Sequence, residues 1–283
     1  MEGEFIFIIG CMRSGSKIYK QALNNHSKVN ISTELHYMNP WYKRDFIRDT
    51  KKLVGDLNEN KNITLLVDYM YSNKFYGSFF SSIDIPKEKL LKKLIASDRS
   101  FEGILKVLLS EQAIVRGKEM IGAKYPLHFS YVNKLYGWFP NCKVVHIVRD
   151  PRAVFASQLN KYFKKKSLKR KLMFFPTMLY CILQSKWSLY VYERNKKNKN
   201  YKLFRYEDIV LEPKQYLTKL CKFLCIEFED DMLKIPVKNS SHGINKTGIV
   251  TDSLQKWKSV IPGWSTVLFK FFLHKEMIRY NWN

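Results

Sequence analysis

Residues 10–17, GCMRSGSK, combine small, hydroxyl and cationic residues as an anion-binding loop requires. They follow the apolar run FIFII and precede a segment with helical spacing, so the loop would open a helix. Backbone amides at the start of a helix lack intrahelical partners, and the helix dipole favours negative charge there. Gly15 lets the backbone approach an anion closely. We therefore predict phosphate-like oxygens as ligands. The groups available to them are Arg13, Ser14, Ser16 and the amides of Gly15 to Ile18.

The order of the last two loop residues argues against ATP as the ligand. The phosphate-binding loop of nucleotide-triphosphate enzymes reads Gly, four residues, Gly-Lys-Ser/Thr, whereas here Ser16 precedes Lys17. This order displaces the hydroxyl that would hold Mg²⁺. A phosphoryl-transfer enzyme stays as an alternative, because ITLLVD (63–68) reads as an apolar strand ending in Asp68, which could hold the metal. The competing interpretation of this segment is an apolar strand that ends in a turn aspartate with no bound metal.

A second set of polar residues follows the apolar run VVHIV. Arg149 ends this run, and the Asp150-Pro151 pair suits the start of a helix. Ser157 lies two helical turns further on, so it can face the same edge as Arg149, and Lys161 continues the stripe. An arginine, a hydroxyl and an ammonium together predict a second phosphate clamp. An arginine salt bridge at a helix start is the competing interpretation.

The elements that must carry these residues alternate between strand and helix. We predict strands at Phe5 to Ile9, at EMIGAKYP ending at Lys124, at CKVVHIV (142–148) and in KLFRYEDIV, where a turn accompanies the strand. Helices are predicted at SKIYKQALNN, after Asp150 and at PKQYLTKLCKFLCI. This alternation favours an α/β fold with a central parallel sheet flanked by helices. Residues 38–118 are mostly polar helix and loop.

The composition predicts a single basic domain. Over 283 residues there is no fixed repeat and no Pro/Gly/Ser-rich linker. The net charge of +24 predicts attraction to anions, such as nucleic acid, anionic lipid, acidic glycans or a phosphate-rich cofactor. Without an RNA-recognition or helix-turn-helix motif, a nucleic-acid partner is disfavoured. The run KYFKKKSLKRK (161–171) is a solvated face, or a lid that attracts an acidic acceptor or an anionic membrane surface.

The cysteines and the apolar runs predict a soluble protein of a reducing compartment. Five cysteines in neither a metal pattern nor a disulfide framework point to the cytoplasm. We expect Cys221 and Cys225, four residues apart, to face the core. The N-terminus has no basic stretch typical of a signal peptide. The longest apolar run, residues 172–183, is too short to span a bilayer.

The two anion-binding motifs together resemble the sulfotransferase superfamily. Strand-xRSGS/T-helix near the N-terminus is followed by strand-RDPRAxxAS-helix in mid-chain, and RYEDIVLEPKQYLTKLCKFL, TDSLQKWKSVIP and EMIRYNWN resemble later family blocks. The resemblance covers about residues 5–36 and 120–283. Residues 38–118 are unmatched and would form a variable acceptor-binding region. The prokaryotic-type carbohydrate enzymes and the tyrosyl-protein enzymes are the most similar branches.

The resemblance implies a nucleotide cofactor and no metal. The first motif would hold the 5′-phosphosulfate of 3′-phosphoadenosine 5′-phosphosulfate, and the second its 3′-phosphate. Tyr206 matches a cofactor-contacting tyrosine, and Lys256 with Trp257 matches the segment that closes over the nucleotide. The sequence departs from the family at Lys17, where Thr or Ser is usual. Its amide can still bind, and its side chain reaches either the phosphosulfate or solvent.

The resemblance also implies the catalytic residues. Glu34, in ISTELH, stands at the position of the general-base glutamate, with His36 as the rival base. Lys124 would contact the transferring group and, with Arg13, offset charge on the leaving oxygen. Ser241 matches a serine at that centre, and Ser240 is an equal candidate. His26 and His146 are interpreted as structural. The implied acceptor is a hydroxyl on a carbohydrate, a glycolipid or another small molecule, with a tyrosyl peptide as the alternative.

Overall fold

A computed structural model of the chain describes residues 4–32, 34, 36–39, 45–72, 85–164, 167–237, 246–247 and 251–282. The strands are β1 Phe5–Gly10, β2 Val29–Ser32, β3 Met120–Lys124, β4 Lys143–Val148, β5 Tyr201–Arg205, β6 Pro236–Val237 and β7 Lys246–Thr247. The first five form one parallel sheet in the order β2-β3-β1-β4-β5. The short β6 and β7 pair antiparallel with each other. The predicted α/β class is thereby confirmed.

The helices alternate with the sheet strands along the chain. They are α1 Ser16–Asn25, α2 Phe46–Leu53, α3 Asn60–Ser72, α4 Lys87–Ile95, α5 Phe101–Val115, α6 Val132–Trp138, α7 Pro151–Tyr162, α8 Leu168–Leu172, α9 Phe174–Asn195, α10 Tyr206–Leu211, α11 Pro213–Leu224, α12 Gly263–Phe272 and α13 His274–Arg279. Among the described residues, 3₁₀ turns cover Pro126–Tyr131, Asp230–Leu233, Thr251–Leu254 and Lys256–Ser259. In the described ranges, no helix is both long enough and apolar enough to cross a membrane.

The register of the first strands brings two strand ends together. β3 pairs with β1 from Phe5 opposite Ile121, and with β2 from Val29 opposite Met120. Gly122 permits this spacing, because a Cβ there would lie 2.6 Å from the carbonyl oxygen of Ile6. Continuous burial along these strands is typical of a parallel sheet covered on both faces. The residues that follow β2 and β3 therefore leave the sheet side by side.

The chain divides into two compact units. The first comprises Met1–Ile8 with Leu23–Val144, and the second comprises Ile9–Ala22 with Val145–Asn283. In the second unit, α7, α9 and α12 share one apolar core in which Phe155 and Phe269 are fully buried. The prediction of a single domain is not tested by this division and stays a prediction.

Two predictions about local structure are wrong, and a third is correct only in part. ITLLVD is not a strand but part of α3, because Ile63, Leu66, Val67 and Met70 are buried at helical spacing, which a six-residue apolar run does not reveal. Asp68 lies on that helix and pairs with Lys87 at 2.7 Å. Cys225 is exposed rather than core-facing, since it is the left-handed residue (φ 59°) that ends α11. The strand predicted in KLFRYEDIV is present as β5 and ends at Arg205, where the helix α10 takes the place of the expected turn.

Candidate functional site

The loop between β1 and α1 is a tight turn in the second unit. The amide of Ser14 donates to the carbonyl oxygen of Cys11 at 3.1 Å, and the backbone of Arg13 is left-handed, with φ 69°. Gly15 has φ 91°, and a Cβ there would lie 2.0 Å from Cδ2 of Tyr206. Only glycine therefore combines this backbone angle with the close approach of Tyr206.

The groups predicted to bind an anion lie at the start of α1. Ser14 is fully buried, and its hydroxyl has no hydrogen-bond partner among the described residues. A buried polar group without a partner is costly, and a bound oxygen anion would relieve that cost. Ser16 is buried as well, while the side chain of Lys17 is exposed. The amide of Ile18 already donates to the carbonyl oxygen of Gly15 at 3.0 Å, so Ile18 is the least available of the predicted amides.

The two predicted phosphate clamps are in direct contact. Nε of Arg13 donates to Oγ of Ser157 at 3.0 Å, which joins the first motif to the second. Nη1 of Arg149 donates to the carbonyl oxygen of Arg13 at 3.3 Å. β1 and β4 are neighbours in the sheet, so the loop and Arg149 leave it at the same edge. Two guanidinium groups are thus concentrated beside the start of a helix.

Arg149 is held by two residues of the second unit. Its guanidinium lies 4.1 Å from the centre of the Tyr206 ring, and its Nη2 donates to the carbonyl oxygen of Ser253 at 3.0 Å. The hydroxyls of Tyr206 and Ser253 are hydrogen-bonded at 2.7 Å. Nε of Arg149 has no partner in the described part of the chain and is a free donor beside these contacts. The sequence did not predict a role for Ser253, although the segment TDSLQKWK that contains it belongs to one of the blocks that resemble the family.

A buried ion pair supports the start of α7, next to Arg149. Asp150 caps the helix by accepting from the amide of Arg152 at 2.8 Å, and its carboxylate also accepts three side-chain bonds from Nε and Nη2 of Arg152. The backbone amide of Asp150 donates to Glu207 at 2.8 Å. Burial is the main cause that raises the pKa of the Glu207 carboxyl above its ordinary value. This network fixes the direction in which the chain leaves β4.

The remaining predicted cofactor residues differ in burial. Lys161 and Lys256 are exposed side chains. Trp257 is buried in the core of the second unit, where its ring lies 4.3 Å from the guanidinium of Arg152. Its position makes it a support for Arg152. Ser240 and Ser241 lie outside the described residues. Within the described ranges, no three His, Cys, Asp or Glu side chains are grouped in a way that could hold a metal ion.

The first unit contains the predicted base and the predicted catalytic lysine. Glu34 follows β2, Lys124 ends β3, and the pairing of Ser32 with Ala123 places them side by side. Nζ of Lys124 donates to Oε1 of Glu34, and 32% of the Glu34 side chain is exposed against 14% for Lys124. Nε2 of His36 lies 3.9 Å from Oε2 of Glu34. A carboxylate that is partly open to solvent and held by an ammonium can act as a proton acceptor.

His128 was not predicted from the sequence and supports the segment that carries Glu34. It is buried, and its Nε2 accepts from the amide of Met38 at 3.4 Å. Burial lowers the pKa of its imidazole to about 3, so the ring is neutral and can accept this bond. No sequence motif marks this histidine, since its partner is a backbone amide 90 residues away.

His146 and Cys11 are buried groups in the second unit. His146 lies between the hydroxyls of Tyr201 and Ser188, at 2.7 Å from each, and burial lowers its pKa to about 3. These contacts agree with the structural role expected of it. Burial raises the pKa of the Cys11 thiol to about 12. Cys11 is therefore a protonated thiol of the loop at neutral pH and is not a nucleophile.

Comparison with known proteins gives one family match and one curated relative. The model described as "Sulfotransferase family" matches residues 5–230. A protein of Aquifex aeolicus (strain VF5), described as uncharacterized, is 24% identical over 258 residues. That match covers 89% of this chain but 30% of the relative, so the chain spans about a third of that protein's length.

Two solved structures show the same fold. The sulfotransferase domain of the curacin biosynthetic pathway superposes with a TM-score of 0.59 at 19% identity, covering 96% of this chain and 98% of that domain. Mouse sulfotransferase SULT7A1, crystallised with PAP (adenosine 3′,5′-bisphosphate), gives a TM-score of 0.51 at 12% identity, covering 98% of this chain and 85% of that one. At these identities the likeness concerns the fold.

Proposed function

The chain belongs to the sulfotransferase family, and on this premise we propose that it transfers the sulfuryl group of 3′-phosphoadenosine 5′-phosphosulfate to an acceptor hydroxyl. The observation that carries the proposal is the cradle of the second unit. There, a buried Ser14 hydroxyl without a partner lies at the start of α1, beside Arg13 and Arg149. Such a site fits a ligand with two anionic groups, as an adenosine carrying a 5′-phosphosulfate and a 3′-phosphate would have.

The residues of the second unit divide between the two ends of this ligand. Ser14, Ser16 and the first amides of α1 would hold the 5′ group, with the side chain of Lys17 directed to solvent. Arg149 and Ser157 would hold the 3′-phosphate, since Nε of Arg149 is a free donor and Ser157 already contacts Arg13. Tyr206 would support the site by stacking on Arg149. The exposed Lys161 and Lys256 would be outer contacts of the nucleotide, and Trp257 would support the site from the core through Arg152.

The residues of the first unit would activate the acceptor. Glu34 would take the proton of the acceptor hydroxyl as its oxygen forms a bond to sulfur. Lys124, which is hydrogen-bonded to Glu34, would orient the carboxylate. As the family resemblance implies, Lys124 and Arg13 would also offset the charge that develops on the leaving phosphate oxygen. Ser241 or Ser240 would hydrogen-bond at the same centre. When bound, the cofactor supplies the sulfuryl group and leaves as adenosine 3′,5′-bisphosphate, with no metal required.

We propose a carbohydrate, a glycolipid or another small molecule as the acceptor, and a tyrosyl peptide as the alternative. The acceptor contacts would lie within residues 38–118, which the family resemblance does not cover. The free cysteines fit a cytoplasmic location, peripheral to a membrane if the acceptor is lipid-linked. The family match extends over parts of both units, which supports a single sulfotransferase domain.

A Ser14→Ala variant tests the cofactor site. Because the Ser14 hydroxyl has no partner in the free protein, its removal is expected to leave the melting temperature unchanged or slightly raised. Its loss should weaken adenosine 3′,5′-bisphosphate binding about tenfold or more, as for a hydrogen bond to a charged group. Calorimetric titration measures the affinity, and a thermal melt measures the stability.

A matched control is Ser265→Ala. This buried serine donates to the carbonyl oxygen of Pro262 at 2.6 Å, so its loss should lower stability and leave nucleotide affinity unchanged. Tighter binding of ATP with Mg²⁺ than of adenosine 3′,5′-bisphosphate would contradict the proposal and favour a kinase. The position of Asp68 on a helix removes the sequence feature that supported the kinase alternative.

A Glu34→Gln variant tests the base. Turnover should fall by about a hundredfold or more, because an amide cannot accept the proton. Adenosine 3′,5′-bisphosphate affinity should stay within a few-fold of the unaltered protein. Sulfate transfer from radiolabelled cofactor to glycan, lipid and peptide acceptors provides the assay. If Glu34→Gln retained turnover while His36→Gln lost it, His36 would be the base.

A further inference from the structure

A set of large apolar side chains in the second unit is exposed to solvent. Their exposed fractions range from 49% for Trp264 to 76% for Phe271. We name this set the apolar face; its members are Leu172, Phe175, Leu179, Leu183, Trp264 and Phe271. Single exposed apolar side chains are common on proteins, but a contiguous group of this kind marks an interaction surface.

The apolar face spans two helices, which meet at Phe175 and Trp264. Phe175, Leu179 and Leu183 recur every four residues and therefore lie along one side of α9. The ring of Phe175 stacks on that of Trp264, with centroids 5.5 Å apart, which joins the start of α9 to the start of α12. Phe271 lies two turns after Trp264 on the same side of α12. Leu172 ends α8, and only Met173 separates it from the start of α9.

The opposite sides of these helices already form the core. Met178 and Ile182 of α9 and Phe269 of α12 are buried in the apolar core of the second unit. The core therefore does not account for the apolar residues on the outer side. Their exposure requires a different partner.

The surroundings of the apolar face are positively charged. Lys169 and Lys171 of α8 directly precede Leu172, Lys270 of α12 directly precedes Phe271, and all three lysines are exposed. In the sequence, residues 151–192 and 253–275 contain no aspartate or glutamate. A second copy of this chain would place like charges against each other, so charge complementarity favours an anionic partner.

We propose that the apolar face and its flanking lysines bind the surface of an anionic lipid bilayer. The apolar side chains would enter the boundary between headgroups and acyl chains while the lysines contact lipid phosphates. Interfacial binding needs no spanning helix. This binding is independent of sulfuryl transfer, so either can fail without the other.

Vesicle co-sedimentation of the full chain, without any acceptor or nucleotide, tests the proposal. The probes are vesicles of phosphatidylcholine alone and of phosphatidylcholine with 30% phosphatidylglycerol, at low and at high salt. We expect binding to the anionic vesicles that weakens with salt, and at least tenfold weaker partitioning onto the neutral vesicles.

Two double variants separate the contributions of charge and of apolar area. Lys169→Glu with Lys171→Glu should weaken partitioning onto anionic vesicles about tenfold or more. Leu179→Ser with Phe271→Ser should weaken it about tenfold and leave the melting temperature nearly unchanged, because both side chains are exposed. The thermal shift caused by adenosine 3′,5′-bisphosphate or inorganic sulfate checks that each variant is folded.

Matched controls change charge and apolar area elsewhere. Lys197→Glu with Lys199→Glu alters two exposed lysines just after the far end of α9, and Leu53→Ser with Leu65→Ser alters exposed leucines of the first unit. These variants should bind vesicles as the unaltered protein does. Three results would overturn the proposal: an equal loss of vesicle binding in the control variants, no binding to anionic vesicles, or equal binding to anionic and neutral vesicles. So would a dimer in solution that the Leu179→Ser/Phe271→Ser variant dissociates.

Discussion

At the scale of single residues, Gly15 constrains the loop in two ways. Its φ of 91° disfavours any side chain, and the ring of Tyr206 occupies the space that a Cβ would take, at 2.0 Å. Tyr206 in turn stacks on Arg149, so a displacement at position 15 reaches the second clamp directly. The glycine spacing in the sequence indicates a turn, but it does not reveal this contact.

A Gly15→Ala variant should lower both stability and affinity for adenosine 3′,5′-bisphosphate. The added methyl group must displace the Tyr206 ring, in addition to the cost of about 1–2 kcal/mol for a left-handed alanine. Gly117→Ala is the control, since Gly117 also has positive φ (63°) but nothing lies within 4 Å of its Cβ position. It should lose stability alone, as measured by urea unfolding and calorimetric titration. Equal losses of affinity in both variants would show that the ring contact is unimportant.

At the scale of elements, the start of α7 depends on a buried ion pair. Asp150 caps the helix and accepts a forked pair of bonds from Arg152, which also donates to the carbonyl oxygen of Trp282. The ring of Trp257 covers the guanidinium. Asp150, Trp257 and Trp282, which are distant from one another in sequence, therefore all contact the guanidinium of Arg152.

An Asp150→Ala variant should destabilise the protein by about 3–5 kcal/mol, because it leaves the Arg152 charge buried without a counterion. The matched control is Ser100→Ala, which removes the side-chain cap of α5, where no ion pair is involved; about 1 kcal/mol is expected there. Urea unfolding of both variants measures the difference. Similar losses for the two would mean that capping, and not the ion pair, holds this element.

At the scale of the whole molecule, two buried histidines make stability depend on pH. The pKa of His128 and that of His146 are each lowered to about 3 by burial, whereas an unfolded chain has a histidine pKa of about 6.5. Between these values the unfolded state binds more protons than the folded state. The two histidines therefore leave the free energy of unfolding at its full value above about pH 6.5, and they lower it as the pH falls toward 3. Glu207 has the opposite effect: because its pKa is raised in the folded state, its contribution to the free energy of unfolding falls as the pH rises.

A His146→Gln variant should be less stable than the unaltered protein at pH 7, and the gap should narrow as pH falls. Each histidine contributes a slope of up to about 1.4 kcal/mol per pH unit below pH 6, and the variant lacks one of the two. Glu207 is present in both proteins and cancels in the difference. Urea unfolding at pH 7, 6 and 5 measures the gap, with the exposed His274→Gln as a control. A gap that stays constant with pH would contradict the buried neutral state.

Local patterns in the sequence were sufficient for the fold class and for the elements that carry Arg13, Lys124 and Arg149. Continuous apolar runs predicted β1, β3 and β4, and the strand-turn-helix order predicted that Arg13 and Arg149 lie near sheet ends. These signals succeed because strand periodicity, helix caps and glycine turns are properties of short segments. The run 63–68 failed because helix and strand cannot be distinguished over six apolar residues.

The sequence alone therefore predicted a parallel sheet with connecting helices and the two motifs that we propose bind anions, but not the order of the strands. Only the tertiary structure decided which of these residues touch and what supports them. Three hydrogen bonds illustrate this: Arg149 donates to Ser253, Arg13 donates to Ser157, and the amide of Met38 donates to His128. Each joins residues 90 or more positions apart. The exposed apolar face is likewise a tertiary property, because burial of one side of a helix depends on what packs against it. The physical reason is that such contacts are made between segments, whereas a sequence pattern reports only on its own segment.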